Sequence, residues 1–228
     1  ILTGDYSAKV IAKHQPMKFA AFEGLSVGQR GAPLVALGIV SSSPDDPNNE
    51  NVKDFAFKIE IPNFLSYMAF QDFNAFIPGV KDLMEGNEEH GILSATEKIV
   101  RGRLAIDALA EYKAAKKAGD EVKLAEAQQI LDENFKYFGY GYFENNPQGL
   151  LPNLPLTFYS FHIMVMLGFW FLVFFALILL LVYKNRISTS RFWLKIAIVN
   201  IPLAYIASQS GWITAEMGRQ PWVIQDLM

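Results

Sequence analysis

The chain has 228 residues, of which 51% are hydrophobic and 19% charged, and its formal net charge is −3. This composition is too apolar for a disordered chain and too charged for a pure bundle of membrane helices. The absence of cysteine excludes disulfide scaffolds, Cys-ligated zinc, iron–sulfur clusters and covalent c-type haem attachment, and no basic patch of a nucleic-acid-binding protein is present.

Charge divides the chain into two predicted regions. Residues 1–157 carry a net charge of −6, and residues 158–228 carry one of +3. The chain begins at Ile1 with neither a basic segment nor an apolar segment ahead of the polar region. We therefore expect no signal peptide, and we expect the chain to be an internal piece of a longer protein.

The first segment with a chemical pattern is Gln15–Gly24, QPMKFAAFEG. Lys18 and Glu23 are five residues apart, about 500° around a helix, so they would flank an apolar patch from two sides. Such a pair could clamp a ring that bears polar groups at both ends, such as a quinol. The same pattern is also typical of a short surface helix.

The rest of the polar region contains a predicted loop, strand and helical hairpin. Residues 41–50 form a loop by composition, and residues 55–61, FAFKIEI, alternate as in a strand. Ser94 and Glu97 match a capping box that opens a helix to about Ala118. Gly119 and Asp120 would end it, and a second helix completes a hairpin over residues 94–138. Its buried face would carry Leu124, Ala127, Leu131, Phe135 and Phe138.

Two uncharged runs near the end of the chain predict membrane-spanning helices. Residues 163–183 would form about 31 Å of helix, and residues 196–215 give a second span. The second run contains Asn200, Ser208, Gln209 and Ser210, so we expect its polar face to be buried against protein or a cofactor. Residues 184–195 are basic, which predicts a cytoplasmic loop and places residues 1–157 on the outer side.

Few residues in the predicted spans can carry chemistry. Glu216 lies at the predicted outer end of the second span, one helical turn before Arg219. The two residues could form a functional pair or could simply anchor the helix at the membrane interface. Met164 could bind haem iron or simply pack. His162, at the boundary, could be functional or only hydrogen-bonded, whereas His14 and His90 have no ligand spacing and are expected to be exposed.

Three segments together resemble the C-terminal half of subunit I of the bacterial cytochrome bd quinol oxidases. Gly211–Trp222, GWITAEMGRQPW, is similar to that family's most specific signature. Gln15–Gly24 resembles the start of its quinol loop, and Ser160–Phe169, SFHIMVMLGF, resembles the helix that carries a methionine haem ligand. Order and spacing match as well, and the intervening residues resemble the long form of the quinol loop.

The resemblance implies a role for each matching residue. Lys18 and Glu23 would serve the quinol site, Gln15 less directly. Met164 would ligate the iron of low-spin haem b, and Glu216 that of a high-spin haem. Arg219 would lie near haem propionates, with Trp212 among the haems and Trp222 packed at the same end. His162 stands where many members are expected to carry arginine, which could shift the potential of low-spin haem b.

The implied fold is mainly α, with two membrane spans in residues 158–228 and an extracytoplasmic α-rich loop domain in residues 1–157. The implied function is a quinol:O2 oxidoreductase of the bacterial cytoplasmic membrane, using low-spin haem b, high-spin haem b and haem d, with ubiquinol or menaquinol as donor. The implied partners are the rest of subunit I, subunit II and small accessory subunits. We expect the family's His-bearing helices and its last helix to lie outside this chain.

Two other functions remain open from the sequence. One is a bd-like, cyanide-insensitive quinol oxidase that lacks haem d, which an absorption spectrum would distinguish. The other is a non-catalytic two-span membrane anchor with an outer interaction domain. That anchor would bind no haem and would tolerate substitution of Met164 and Glu216.

Overall fold

The computed structural model of this chain describes residues 2–40, 55–185 and 191–227. These residues are mainly α-helical, as predicted. The helices are α1 Leu2–His14, α2 Pro16–Glu23, α3 Phe64–Phe70, α4 Val80–Glu85, α5 Ala95–Ala118, α6 Glu121–Asn134, α7 Leu154–Tyr183 and α8 Arg191–Met217. The strands are β1 Gln29–Arg30, β2 Leu34–Val40, β3 Phe55–Ile61 and β4 Phe76–Ile77, and 3₁₀ segments cover Glu88–His90, Phe135–Phe143 and Pro147–Leu150.

The strands form two small antiparallel pairs. β1 pairs with β4, and β2 pairs with β3 in a register that sets Leu34 opposite Ile61 and Gly38 opposite Lys58. The strand predicted at 55–61 is confirmed, whereas β2 was not predicted. Its sequence, LVALGIV, is a nearly continuous apolar run, which periodicity cannot assign. The predicted loop at 41–50 lies outside the described residues.

Local capping signals set the ends of the helical hairpin, as predicted. The Ser94 hydroxyl accepts a hydrogen bond from the Glu97 amide at 3.1 Å, and the Glu97 carboxylate accepts one from the Ser94 amide at 3.0 Å. Helix α5 ends at Gly119, whose φ of 72° is left-handed and suits glycine. Asp120 then caps α6 by accepting a hydrogen bond from the Lys123 amide.

The predicted buried face of the second helix is only partly correct. Ala127 is buried and Leu124 and Leu131 are half-buried, but α6 ends at Asn134. Phe135 and Phe138 therefore lie in the following 3₁₀ segment, where the helical spacing no longer holds. There Phe135 is exposed, and Phe138 is half-buried.

Two long apolar helices, α7 and α8, are long enough to cross a membrane. Helix α7 begins nine residues before the predicted span because Asn153 caps it, accepting a hydrogen bond from the Leu156 amide, and Pro155 suits a first turn. Helix α8 begins at Arg191, so Arg191 and Lys195 lie within the helix and not in a loop as predicted. Arg186 lies outside the described residues.

Helices α7 and α8 pack against each other through polar as well as apolar groups. The Trp170 indole donates a hydrogen bond to the Asn200 side-chain oxygen at 2.6 Å, and Asn200 and Ser210 are buried, as predicted. Ser208 and Gln209, also in the second span, are instead exposed in this chain. Ser208 and Gln209 precede the buried Ser210 by two positions and one position. Because each residue turns about 100° around a helix, their side chains point in other directions than that of Ser210.

A hydrophobic core joins the first helices to the N-terminal part of α7. Phe19, Phe22, Leu65 and Ile77 are buried in it, and the Phe22 and Phe161 rings lie 4.4 Å apart between their centroids. This core fixes α2 against α7, although almost 140 residues separate them in sequence. A second, smaller core forms around Ala95, Ile99, Leu150 and Trp222.

Candidate functional site

Helix α2 holds Lys18 and Glu23 at fixed positions beside the N-terminal end of α7 and the C-terminal end of α8. Pro16 occupies its first turn, and Gly24 ends it with a φ of 68°. A Cβ on Gly24 would lie 2.5 Å from the Phe55 ring and 3.0 Å from that of Phe158, so glycine is required by packing as well. The segment is helical but not a surface helix, because Phe19 to Glu23 are all buried.

One cavity of about 250 Å³ is lined by Lys18, Glu23 and Met164 together. We call it the apolar cavity, because its walls are mostly hydrocarbon. Phe19 and Phe22 separate the two charged residues on α2, as the helical spacing predicts. The remaining walls come from four other helices, with Gly4, Ser7, Ala8 and Ile11 from α1, Leu65, Met68 and Ala69 from α3, Phe161 from α7, and Gly211, Thr214 and Ala215 from α8.

Glu23 is a buried carboxyl group with an unused oxygen. Its residue is 4% exposed, and Oε2 has no hydrogen-bond partner within the described part of the chain. Burial removes the carboxylate from water, and this desolvation raises the pKa of Glu23 to about 8. A carboxyl group with a pKa near neutral is suited to accept and release a proton.

The Lys18 side chain reaches from α2 to the C-terminal end of α8. Its ammonium donates a hydrogen bond to the Ala215 carbonyl oxygen at 3.1 Å, and Gly218 leaves room for its side chain to pass. Desolvation lowers the pKa of Lys18, as does the nearby Arg219, while Glu216 acts in the opposite direction. Two residues assigned to separate sites in the sequence, Lys18 and Glu216, are thus electrostatic neighbours.

Glu216 and Arg219 form the predicted ion pair. Arg219 Nη2 lies 2.7 Å from Glu216 Oε2, and both side chains are partly exposed. Arg219 Nε is buried and has no hydrogen-bond partner in the described residues. An unsatisfied guanidinium donor costs free energy unless it finds an acceptor, so this end of α8 retains capacity to bind an anionic group.

Met164 lines the apolar cavity beside α8. A Cβ on Gly211 would lie 3.0 Å from Met164 Sδ, so glycine at 211 allows the thioether to approach the neighbouring helix. The sulfur is therefore held in a defined place in the N-terminal part of α7, beside α8. This position fits both of the sequence interpretations, packing and ligation.

His162 has no free ring nitrogen in this structure. Nδ1 lies 2.9 Å from the Phe158 carbonyl oxygen and Nε2 lies 2.8 Å from that of Val35. The residue is buried and links β2 to α7. A neutral imidazole carries one N–H, and the Phe158 carbonyl already accepts the helical amide of His162, so we assign the proton to Nε2, which donates to Val35. Both ring nitrogens face the backbone, which is the geometry of the hydrogen-bonded boundary residue.

The remaining sequence candidates are spread over the chain. Trp212 is 63% exposed on α8, and Trp222 is buried against Tyr140 and Phe143 in the second core. Gln15 has a buried side-chain oxygen without a partner among the described residues. His14 is exposed, as predicted. His90 is half-buried instead, because its ring stacks on Phe76 with centroids 3.6 Å apart.

Sequence reasoning missed the walls that α1 and α3 contribute to the apolar cavity. Ile11, Met68 and the other lining residues of those helices are small or apolar and carry no motif. Only the packing of the first core brings them next to α2. A helical-period search over residues 2–14 could have indicated α1, but not which residues face Glu23.

Comparison with known proteins shows the family of the chain. The family model described as cytochrome bd terminal oxidase subunit I matches residues 1–228. The chain belongs to the cytochrome bd subunit I family. It is 29% identical over 241 residues to cytochrome bd-II ubiquinol oxidase subunit 1 of Escherichia coli, covering 99% of this chain and 43% of that protein. It is 27% identical to cytochrome bd ubiquinol oxidase subunit 1 of Bacillus subtilis, covering 100% and 36% respectively.

A solved structure shows the same fold. The bd oxidase from Geobacillus thermodenitrificans aligns with 98% of this chain and 35% of its own at a TM-score of 0.56, with 22% identity. The chain thus spans less than half the length of these cytochrome bd relatives.

Met164 and Glu216 are donor groups of the kinds that ligate haem iron. Residues 2–40, 55–185 and 191–227 contain no cluster of three or more His, Asp or Glu side chains that could hold a metal. Met164 and Glu216 are instead single donors on separate helices, which suits axial ligation of an iron whose other ligands belong to a macrocycle. The unpartnered Nε of Arg219 beside Glu216 is suited to a carboxylate such as a haem propionate.

Proposed function

We propose that this chain is part of subunit I of a membrane quinol:O2 oxidoreductase, and that the apolar cavity binds the quinol ring. The observation that carries this proposal is that Lys18, Glu23 and Met164 line one cavity. Its hydrocarbon walls suit an aromatic ring, and polar side chains are available for both ring oxygens. The chain's membership of the cytochrome bd family supports the same reading.

Lys18 and Glu23 would divide the work at the quinol. The Lys18 ammonium can donate a hydrogen bond to one ring oxygen and also remain bonded to Ala215. With a pKa of about 8, the Glu23 carboxyl group is mostly protonated at neutral pH and accepts a quinol proton in its carboxylate form, whose share grows as the pH rises toward 8. Phe19 and Phe22 exclude water between the two.

Met164 and Glu216 would hold the electron acceptors. In this proposal Met164 ligates low-spin haem b, Glu216 ligates a high-spin haem, and Arg219 binds propionates. The haems, including haem d at the oxygen site, supply electron transfer and oxygen reduction when bound. The Glu216–Arg219 ion pair engages Oε2 and leaves Oε1 outside it.

Helix α8 has an exposed face with polar and aromatic side chains, which suits contact with another protein segment or a cofactor. Tyr205, Ser208, Gln209 and Trp212 share one helical face that does not contact α7. Ser208 and Gln209 are costly in lipid, so this face is expected to meet the rest of subunit I or a haem. Subunit II and small accessory subunits would complete the complex in the bacterial cytoplasmic membrane, with residues 1–157 on the outer side.

The choice of quinol remains part of the proposal. The relatives from Escherichia coli and Bacillus subtilis described above are named ubiquinol oxidases. A further relative from Bacillus subtilis, 38% identical over 79 residues, is named a putative menaquinol oxidase subunit. The apolar cavity accepts a quinol ring of either class, and turnover with each quinol would decide between them.

Substitution in the full complex tests the proposal. Lys18→Met and Glu23→Gln should each lower quinol oxidation by at least about tenfold, with haem content and activity with an artificial electron donor unchanged. Lys116→Met and Glu126→Gln, at exposed positions on α5 and α6, are matched controls. Equal losses with both donors would contradict a quinol site, and a reduced-minus-oxidised spectrum without a chlorin band would favour the oxidase that lacks haem d.

A further inference from the structure

Glu23 lies between two cavities of opposite character. Besides the apolar cavity it lines a second one of about 160 Å³, the hairpin cavity, whose other walls include Ser26, Gln29, Lys58 and Glu60. Among the described residues that line these two cavities, Glu23 is the one common to both. A side chain in this position can exchange a proton with either space.

The β2–β3 hairpin directs its charged face toward the second cavity. Lys58 and Glu60 alternate along β3 with Phe57, Ile59 and Ile61, and the two sets lie on opposite faces of the strand. Phe57, Ile59 and Ile61 are exposed, together with Leu37 and Ile39 on the paired strand. Lys58 and Glu60 line the cavity while remaining partly exposed, and Phe55, which packs on Phe158, lines it as well. A hairpin that only covered a hydrophobic core would place the apolar set inward.

The hairpin cavity can connect Glu23 to water. Its volume far exceeds the roughly 10–15 Å³ that one water molecule needs, and its walls offer several hydrogen-bonding groups. Lys58 Nζ and Glu60 Oε2 form an ion pair at 2.8 Å, and both side chains are partly exposed to solvent. The Oε2 of Glu23 is buried and has no partner in the described residues, so a rotation of the carboxyl group would be needed to bring it to water there.

Resting on the proposed function, we propose that Glu23 passes quinol protons outward through the hairpin cavity, with Lys58 and Glu60 as positioning residues at its mouth. Oxidation of a quinol to a quinone releases two protons and two electrons. A quinol O–H bond breaks, its proton binds the Glu23 carboxylate, and one electron would leave to an oxidised haem where one is bound. Neutral Glu23 then gives the proton to water in the hairpin cavity and becomes a carboxylate again, ready for the next proton. The second O–H bond would react in the same way, after Glu23 has released the first proton, and its electron would leave once an oxidised haem is again available.

The charges around Glu23 favour this direction. Lys18 is the charged residue that lines the apolar cavity, and Lys58 and Glu60 line the hairpin cavity, whereas α1, α3, α7 and α8 contribute no charged group to either lining among the described residues. A proton leaving Glu23 is repelled by the Lys18 ammonium on the apolar side, whereas the Lys58–Glu60 ion pair on the hairpin side carries no net charge. The ion pair keeps Glu60 at the cavity wall.

The test uses the purified full complex and two independent changes. The double variant Lys58→Met/Glu60→Gln removes the ion pair, and Ser26→Leu fills part of the hairpin cavity without touching a charge. Each should slow haem reduction by quinol about tenfold or more and increase its slowing in D2O, since proton release becomes limiting. KM for quinol, haem content and reduction by an artificial donor should stay the same.

Controls separate this proposal from the previous one. Lys116→Met and Glu89→Gln remove comparable exposed charges away from both cavities and should change nothing. If Glu23→Gln impairs quinol oxidation but both hairpin changes leave the rate and the isotope effect unaltered, the exit route is wrong and the quinol site stands. If Glu23→Gln has no effect, both fail. If either Lys58→Met/Glu60→Gln or Ser26→Leu loses haem, the other variant tests the exit route.

Discussion

His162 Nε2 lies 2.8 Å from the carbonyl oxygen of Val35, so a side chain of the first membrane helix holds strand β2 from 127 residues away. Nearby, Tyr159 accepts a hydrogen bond from the Val40 amide at 2.9 Å, and the Phe158 ring packs on Phe55. These three contacts within residues 158–162 of α7 attach the β2–β3 hairpin to the N-terminal part of the helix. They fix one wall of the hairpin cavity next to Glu23.

We expect His162→Phe to loosen the hairpin. Phenylalanine keeps a ring beside Phe158 but leaves the Val35 carbonyl oxygen without its donor, which costs about 1–3 kcal/mol when the group stays buried. Hydrogen–deuterium exchange should show faster exchange over β2 and β3 and little change over α5 and α6. His14→Phe, at an exposed position on α1, is the matched control. Unchanged protection of the hairpin would mean that Tyr159 and Phe158 hold it alone.

Met164→Leu separates ligation from packing. Leucine nearly conserves volume, so packing should cost less than about 1.5 kcal/mol, whereas removal of the sulfur should abolish or strongly shift the low-spin haem b spectrum and potential. Met166→Leu is the matched control, because Met166 lies on the same helix but is exposed and outside the apolar cavity. A normal spectrum and potential in Met164→Leu would leave only the packing role.

Glu23 should also impose a pH dependence on stability. The folded chain keeps the carboxyl proton up to about pH 8, whereas the ordinary pKa of glutamate is 4.5. Its contribution to stability is therefore complete below pH 4.5 and is lost as the pH rises through about 8, where the buried group ionises. Melting temperatures from pH 5 to 9 should fall more steeply for the unsubstituted complex than for Glu23→Gln. Parallel curves would contradict the raised pKa, and Glu89→Gln controls for removal of an exposed carboxylate.

Local sequence signals predicted what neighbouring residues decide. The helical hairpin of α5 and α6 followed from the capping residues Ser94 and Gly119, which act within one helical turn. The two candidate spans followed from the charge-free runs of α7 and α8. The apolar cavity could not be predicted from the sequence, because it depends on contacts such as that of Lys18 with Ala215, which are 197 residues apart. Its geometry depends on the packing of α2 against α7, for which the chain gives no periodic signal. Lys18 and Glu23 became candidates through the family resemblance, and their shared cavity required the fold.

The last prediction concerns Glu216, whose partner in this structure makes the test sharper. Glu216→Gln keeps size and hydrogen bonding but removes the charge that pairs with Arg219. Because this ion pair is partly exposed, its loss should cost no more than about 1 kcal/mol of stability. An interfacial anchor would therefore assemble and turn over almost normally with glutamine at this position.

A haem ligand would respond differently to the same change. Since an amide oxygen is a much poorer ligand than a carboxylate, the high-spin haem should be missing or perturbed, while low-spin haem b at Met164 is retained. Haem stoichiometry and oxygen consumption, measured together on the full complex, check both parts. Glu144→Gln is the matched control, because Glu144 also forms an exposed ion pair, with Arg103 at 3.7 Å. Full haem occupancy with normal oxygen consumption in Glu216→Gln would assign Glu216 and Arg219 to anchoring alone.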